Sequence, residues 1–425
     1  MILSNISVPL LGLVDTAVLG HLDSANFLAA VALGSAIIAF IYWGFGFLRM
    51  GTTGVTANAY GAGDHEKTTL ILLRGAILAL AIALLIGMLH PVLFALGLWA
   101  MNSSEILTPL ADQYLNIRLL GAPAALLNYV FIGWFVGIQR PKLALFVVVL
   151  CNITNIVLDL LFVVGYGLTS DGVAWATVIA EYLSCCVALV IALNRIDVAL
   201  DSNVWRRALR AAELVSLLRG NGYLFVRTVA LLATMAYFTK RGAEFGVVTL
   251  AANALLMQIA MLVSYGLDGF ANAAEALVGE AIGQRQHSAL YEAMRGTAIA
   301  SLVVAMLFCL ALWLGESWLI LLLTNQIDII DHASRFYPYV VIFPALAVWS
   351  FWLDGVFIGA NRNAAMMWSM LFSSVGVFAA LLFTLESLGN NGLWLAYLGF
   401  IAARGISLGF ISYRYTKSGA WFKTS

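Results

Sequence analysis

Apolar runs of about 20 residues, separated by short polar breaks, cover almost the whole chain, and they do not alternate with a period of two. Backbone groups in hydrocarbon have no water partner, so spanning segments must be helices or a closed barrel. The length and the lack of alternation argue for helices and against a barrel. Twelve spans are expected, at 1–20, 27–60, 70–98, 106–139, 142–166, 172–194, 222–241, 246–282, 290–314, 329–360, 364–386 and 392–413. Several are longer than the bilayer is thick and must tilt or protrude.

The pattern repeats. Leu28-Ala29-Ala30-Val31-Ala32-Leu33 returns as Leu250-Ala251-Ala252-Asn253-Ala254-Leu255, an offset of 222 positions. Gly133-Trp134-Phe135-Val136-Gly137-Ile138-Gln139-Arg140 returns at the same offset as Gly355-Val356-Phe357-Ile358-Gly359-Ala360-Asn361-Arg362. Gly61 with His65 maps likewise onto Gly283 with His287. The chain therefore reads as two related halves of six helices each: a first lobe over 1–200, a connector over 201–221 and a second lobe over 222–425. An even number of spans per half places the pseudo-two-fold axis along the membrane normal. Paired halves of this kind are how transporters are built, with the substrate site where the halves meet.

Composition agrees. Only 10% of residues are charged and 62% are hydrophobic, whereas a soluble domain carries about 25% charged residues. The 22 Lys and Arg are distributed unevenly: fifteen fall in loops on one side, three (Lys240, Arg241 and Arg335) on the other, and Arg49, Arg118, Arg227 and Arg404 lie within or beside spans. The positive-inside rule then puts both termini in the cytoplasm. No basic stripe points to nucleic acid. The connector contains Trp205-Arg206-Arg207-Ala208-Leu209-Arg210-Ala211-Ala212-Glu213-Leu214, which suits an amphipathic helix on the inner membrane surface. Trp99, Trp313, Trp318, Trp394 and Trp421 fall near span ends, as interfacial anchors do. Cys151, Cys185, Cys186 and Cys309 show no metal-ligand spacing and read as small packing residues. His65 and His287 read as helix-start or loop-packing residues. The first span begins without a charged flank, so residues before Met1 are expected.

An ionisable side chain within a span costs at least ~2.5 kcal/mol, so such residues mark candidate function. Asp15 stands in the first span. Asn152, Asn155 and Asp159 share one face of the fifth, spaced i, i+3, i+7, with Thr177 of the sixth able to join them. Asp268, Asn272 and Glu275 make a comparable stripe in the eighth span, and Asp354 stands in the tenth. A carboxyl in low dielectric has a raised pKa and can exchange a proton near neutral pH; the alternative role is a hydrogen-bond cap between helices. Glu181 reads as structural. Pro9 and Gly12 give the first helix a place to bend beside Asp15. Pro123 and Pro344 are expected to break the fourth span of each half.

These residues resemble the multidrug and toxic compound extrusion (MATE) family, in its DinF-like branch. The resemblance rests on Pro9-Leu10-Leu11-Gly12-Leu13-Val14-Asp15-Thr16-Ala17-Val18-Leu19-Gly20-His21-Leu22, on Asn155-Ile156-Val157-Leu158-Asp159, and on Gly172-Val173-Ala174 with Thr177. In the second half it rests on Leu267-Asp268-Gly269-Phe270 with Glu275-Ala276, and on Leu353-Asp354-Gly355 with Phe357-Ile358-Gly359-Ala360. It implies an all-α polytopic membrane protein of two six-helix lobes forming a V around a central cavity, in a bacterial inner membrane. It also implies efflux of amphipathic, often cationic, drug-like compounds in exchange for H⁺ or Na⁺, without a cofactor or resident metal. The family's cation site falls here on Asp15, Asn155, Asp159 and Thr177, with Na⁺ as an alternative occupant at Asp15 and Asp159. The branch that binds Na⁺ in the second lobe uses an acid in the seventh span. Tyr223 to Lys240 contains none, which favours proton coupling.

Other classes are weaker. A lipid-linked flippase of the same superfamily needs cavity cations, and only Arg49, Arg118 and Arg404 offer themselves. The basic Gly-rich loop of a major-facilitator transporter is missing from Gly61-Ala62-Gly63-Asp64-His65-Glu66-Lys67. No span carries a His-Glu-x-x-His or a nucleophile–His pairing, so an intramembrane enzyme is not expected. Met257, Met261, Tyr265 and Phe270 read as packing or as cavity lining. Nothing marks a dimer face, and a monomer is expected.

Overall fold

The structure is a computed structural model that describes residues 25–101, 103–196 and 198–422. The expected first span, with Asp15, Pro9 and Gly12, lies outside the described residues. Helices in order are α1 Ala25–Gly44, α2 Phe47–Gly61, α3 His65–Ala100, α4 Leu107–Leu119, α5 Ala122–Gly137, α6 Pro141–Asp159 and α7 Ser170–Leu193. They continue as α8 Ser202–Ala208, α9 Ala211–Glu244, α10 Val247–Gly283, α11 His287–Leu323, α12 Ile327–Gly359, α13 Asn363–Leu371, α14 Ala379–Thr384 and α15 Asn390–Ser418. Among the described residues, ten segments are long and apolar enough to cross a membrane, eleven if the bent pair α4–α5 counts as one span. They overlap the second to twelfth expected spans.

The described residues fall into two compact units, one ending at Leu217 and the other beginning at Leu218. Within each unit the repeat is visible in the backbone. His65 opens α3 and His287 opens α11; Gly61 ends α2 and Gly283 ends α10. Left-handed turn residues recur at the same offset: Gly63 and Arg285, Gln139 and Asn361, Gly167 and Gly389.

Each unit is pinned by one close helix pair. In the first, α5 lies on α2 so tightly that a Cβ on Gly133 would sit 2.5 Å from the Arg49 carbonyl oxygen. A Cβ on Gly137 would sit 3.0 Å from the Thr53 oxygen. In the second, α12 lies on α10, with Gly355 against the Ala271 carbonyl and Gly359 against that of Glu275. Two small residues four apart let backbones approach, so that dispersion and weak polar contacts hold helices that lipid does not drive together. Gly355→Ala should therefore lower the thermal midpoint of the purified protein by the equivalent of about 1–3 kcal/mol, because backbone cannot yield as a side-chain tip can. Gly87 has open space around it, and Gly87→Ala should hold or slightly raise the midpoint. Equal effects at both sites would show that the close approach is not the reason.

Three expectations change. Pro123 sits in the first turn of α5, at a 51° bend from α4, but Pro344 lies inside α12, which runs unbroken for 33 residues. A first-turn proline loses no helical bond, and an interior one is tolerated where neighbouring groups satisfy the freed carbonyl. The connector is not one amphipathic helix but short α8 followed by the first turns of α9. Arg74 fastens it: the guanidinium donates to Arg207 O (3.1 Å) and Ala208 O (3.4 Å) and pairs with Glu213 (3.1 Å), while Arg207 pairs with Glu66. Finally, Trp99, Trp313 and Trp318 are exposed as anchors are, but Trp394 and Trp421 are buried. Both indoles find inward partners, Asn253 Oδ1 at 2.9 Å and Thr416 Oγ1 at 3.0 Å, which removes the reason to stay at the interface.

Candidate functional site

The first unit gathers the polar residues of α6 and α7. Helical period puts Asn155 and Asp159 one turn apart, and both are buried, Asp159 completely. Thr177, two turns into α7 and half-buried, meets them from the side. With its nitrogen facing Asp159, the Asn155 amide donates to Asp159 Oδ2 at 2.9 Å, and its oxygen accepts from Thr177 Oγ1 (3.0 Å) and Thr177 N (3.2 Å). The Thr177 hydroxyl also lies 3.0 Å from Val173 O, one turn back on α7. α6 then passes into a π-helical turn, Leu160–Gly165, directly after Asp159. Such turns are rare and recur at functional positions; no sequence signal announced this one.

Beside this triplet lies a separate buried pair. Arg118 of α4 grips Glu181 of α7 with two bonds, 3.0 and 2.9 Å, and Asn128 bonds Glu181 O and Ser184 Oγ. Two-pronged pairing satisfies both charges, and it gives Glu181 the structural role expected of it.

In the second unit the four acid-stripe residues divide. Asn272 and Glu275 are buried on α10 and Asp268 is half-buried; Glu275 sits where α10 meets Gly359 of α12. Asp354 is held by arginines from two other helices, Arg227 of α9 and Arg404 of α15, the latter at 2.7 Å. All three side chains are more than nine-tenths buried. The Arg404 guanidinium also lies over the rings of Phe400 (5.6 Å) and Phe351 (6.0 Å). From sequence, Arg404 stands only as a candidate cavity cation and Arg227 has no assigned role. The available signal was that arginines within spans require counter-charges, but it does not say which. Among the described residues no group of three or more His, Cys, Asp or Glu gathers to hold a metal, and the four cysteines are free.

Two repeat-related helical units with buried acids define a polytopic membrane transporter. The family profile described as MatE matches residues 1–161 and 228–383. DNA damage-inducible protein F of Escherichia coli (strain K12) is 40% identical over 99% of this chain and 92% of its own length. A probable multidrug resistance protein NorM of Geobacillus kaustophilus is 25% identical, over 94% of this chain and 89% of its own. The chain belongs to the MatE family of multidrug and toxic compound efflux transporters. Solved structures share the fold: a MOP superfamily transporter from Pyrococcus furiosus superposes with a TM-score of 0.88 at 20% identity, covering 100% of this chain and 95% of that one. An outward-facing multidrug resistance MATE family transporter gives 0.87 at 21% identity, with coverage of 100% and 95%.

Proposed function

We propose that this protein exports amphipathic, often cationic compounds across a bacterial inner membrane in exchange for protons, with both termini in the cytoplasm. The first six-helix lobe, 1–200, carries the coupling site, and the connector 201–221 joins it to the second lobe. The observation that carries this reading is the completely buried Asp159, which accepts from the Asn155 amide, itself bonded to Thr177. Protonation of Asp15 from outside, relayed to Asp159, rearranges the hydrogen bonds among Asp159, Asn155 and Thr177. The first helix then bends near Pro9 and Gly12 and the substrate is released outward. Coupling requires that proton and substrate favour different states.

The second unit supports the same assignment from the other direction. Asp354 is already neutralised by two fixed guanidinium groups, so a mobile cation gains little there. A flippase needs cations for pyrophosphate, but of its candidates Arg49, Arg118 and Arg404, the last two are each engaged by a carboxylate. The oxygens of Asp159, Asn155 and Thr177 also suit Na⁺, which keeps sodium coupling as the second reading.

The deciding experiment is dye efflux from proteoliposomes driven by a pH gradient in sodium-free buffer, with wild type beside Asp15→Asn. Transport by wild type alone supports proton antiport. Silence until sodium is added assigns the coupling ion as Na⁺, and wild-type rates in Asp15→Asn overturn the mechanism.

A further inference from the structure

A cleft of about 530 Å³ opens in the second unit between α9 and the helix that runs from α13 through the π turn Phe372–Phe378 into α14. That volume lies within the range of about 300–1,000 Å³ typical of small-molecule sites. Its walls are mostly apolar and include Tyr237, Phe378, Leu382 and Phe383. Tyr237 and Phe378 meet edge to face at 6.4 Å. Two hydroxyls, Thr234 and Ser374, line it 3.1 Å apart. Arg241 and Glu386 also line it and pair at 3.1 Å, and Arg241 pairs with Glu244 as well. Of the two carboxylates that share this guanidinium, Glu386 is the one that lines the slot, and its side chain is 65% exposed at the mouth.

The internal repeat gives this cleft a meaning. Carried across the offset of 222, Tyr237 stands where the first half has Asp15, Leu381 where it has Asp159, and Ser374 where it has Asn152. The register holds through this region, since Asn363 opens α13 as Pro141 opens α6, and Gly389 turns left-handed as Gly167 does. The second half therefore carries aromatic, aliphatic and hydroxyl groups at the positions where the first half carries its acids and amide.

We propose that this cleft binds the aromatic body of an amphipathic monocation, with the charged end held by Glu386. The first unit then serves the coupling ion and the second the substrate. This deepens the efflux reading and rests on it for the class of ligand. Apolar walls exclude water and reward a flat ring, and the carboxylate at the mouth selects positive charge. The hydroxyl pair adds a polar contact that fixes no single orientation, as broad selectivity requires.

The test is equilibrium binding of ethidium, a planar monocation, and of uncharged phenanthridine to the purified full-length protein. Ala233 lines the cleft, and Ala233→Trp should weaken both ligands by about tenfold or more through loss of apolar burial. Glu386→Gln should weaken ethidium about three- to fivefold, the modest effect of an exposed charge, and leave phenanthridine alone. To separate blockage from misfolding, Ala233→Cys in a Cys186→Ser protein is modified after purification with a benzyl methanethiosulfonate. The modified protein should lose ethidium, and ethidium should slow the modification. Wild-type ethidium affinity in both blocked proteins overturns the proposal, as does an equal effect of Glu386→Gln on the two ligands. Phospholipid expelled by Ala233→Trp in native mass spectrometry, with ethidium affinity unchanged, assigns the cleft to a lipid chain and overturns it too. Parallel efflux assays separate the two readings. Cleft-dependent binding without gradient-driven movement sinks the efflux reading alone, whereas efflux that survives the blocked cleft with binding intact sinks this one.

Discussion

Asp159→Asn should reduce proton-driven efflux by about a hundredfold, to the background of empty vesicles, while leaving the protein folded. The side chain is completely buried and sits 2.9 Å from the Asn155 amide. A carboxamide has nearly the same shape and its oxygen can still accept from the Asn155 amide, so packing survives. What it cannot do is take up and release a proton, and without that step the gradient has no hold on the conformational equilibrium. An ionised Asp at the membrane centre costs about 2.5–3.5 kcal/mol, so the thermal midpoint of the variant should stay level or rise. Proteoliposome efflux and a thermal melt of the same preparation check both halves of the expectation. Pumping at the wild-type rate would remove Asp159 from the coupling path. Loss of pumping with a collapsed melt would make it a structural residue.

Asp354→Ala should produce the largest loss of stability of any single change in the second unit. It leaves Arg227 and Arg404 facing each other, both more than nine-tenths buried, with no counter-charge. Breaking a buried pair by removing one partner costs about 3–5 kcal/mol, and here one carboxylate serves two guanidinium groups on two other helices. Little monodisperse protein should be recovered, and what is recovered should melt far below wild type. Replacing the whole set, Arg227→Met with Asp354→Leu and Arg404→Met, should restore folding, because apolar groups of similar volume do not pay desolvation. If Asp354→Ala purifies and melts as wild type does, the triad does not fasten α9, α12 and α15. If the apolar triple folds but cannot transport, the charges serve the cycle rather than the packing.

The contrast between these two aspartates explains how far the site was legible. Asn155 and Asp159 lie on one helix, where the period of 3.6 residues fixes their common face before any neighbour is known. Thr177 is a short hop away across one tight connection, so its approach was also readable. Asp354 looked equally functional by the same rule, because a span acid is costly wherever it lies. Its two partners come from helices far apart in sequence, and nothing in local pattern ranks Arg227 and Arg404 above Arg49 or Arg118. Glu181 and Arg118 pose the same problem. The tryptophans show it for packing: Trp394 and Trp313 both sit near span ends, but one is in the core and the other in the open. The difference is Asn253, which waits on α10 to accept the Trp394 indole proton.

The sequence by itself determined that this is a membrane protein, which stretches of the described residues are apolar helices, and that its halves are copies. Those properties are local or periodic: a helix must match the bilayer, and a duplicated gene keeps its register. The glycines of the close helix pairs and the left-handed turn residues follow from the same repeat. Only the tertiary structure decided which buried charges are cancelled by arginines and which acid is met by the Asn155 amide. It also decided that Pro344 passes through a continuous helix, and that Tyr237, the counterpart of Asp15, lines an apolar cleft. Those outcomes depend on which helices lie side by side, and in a low dielectric a charge is defined by its neighbours across space more than by its place along the chain.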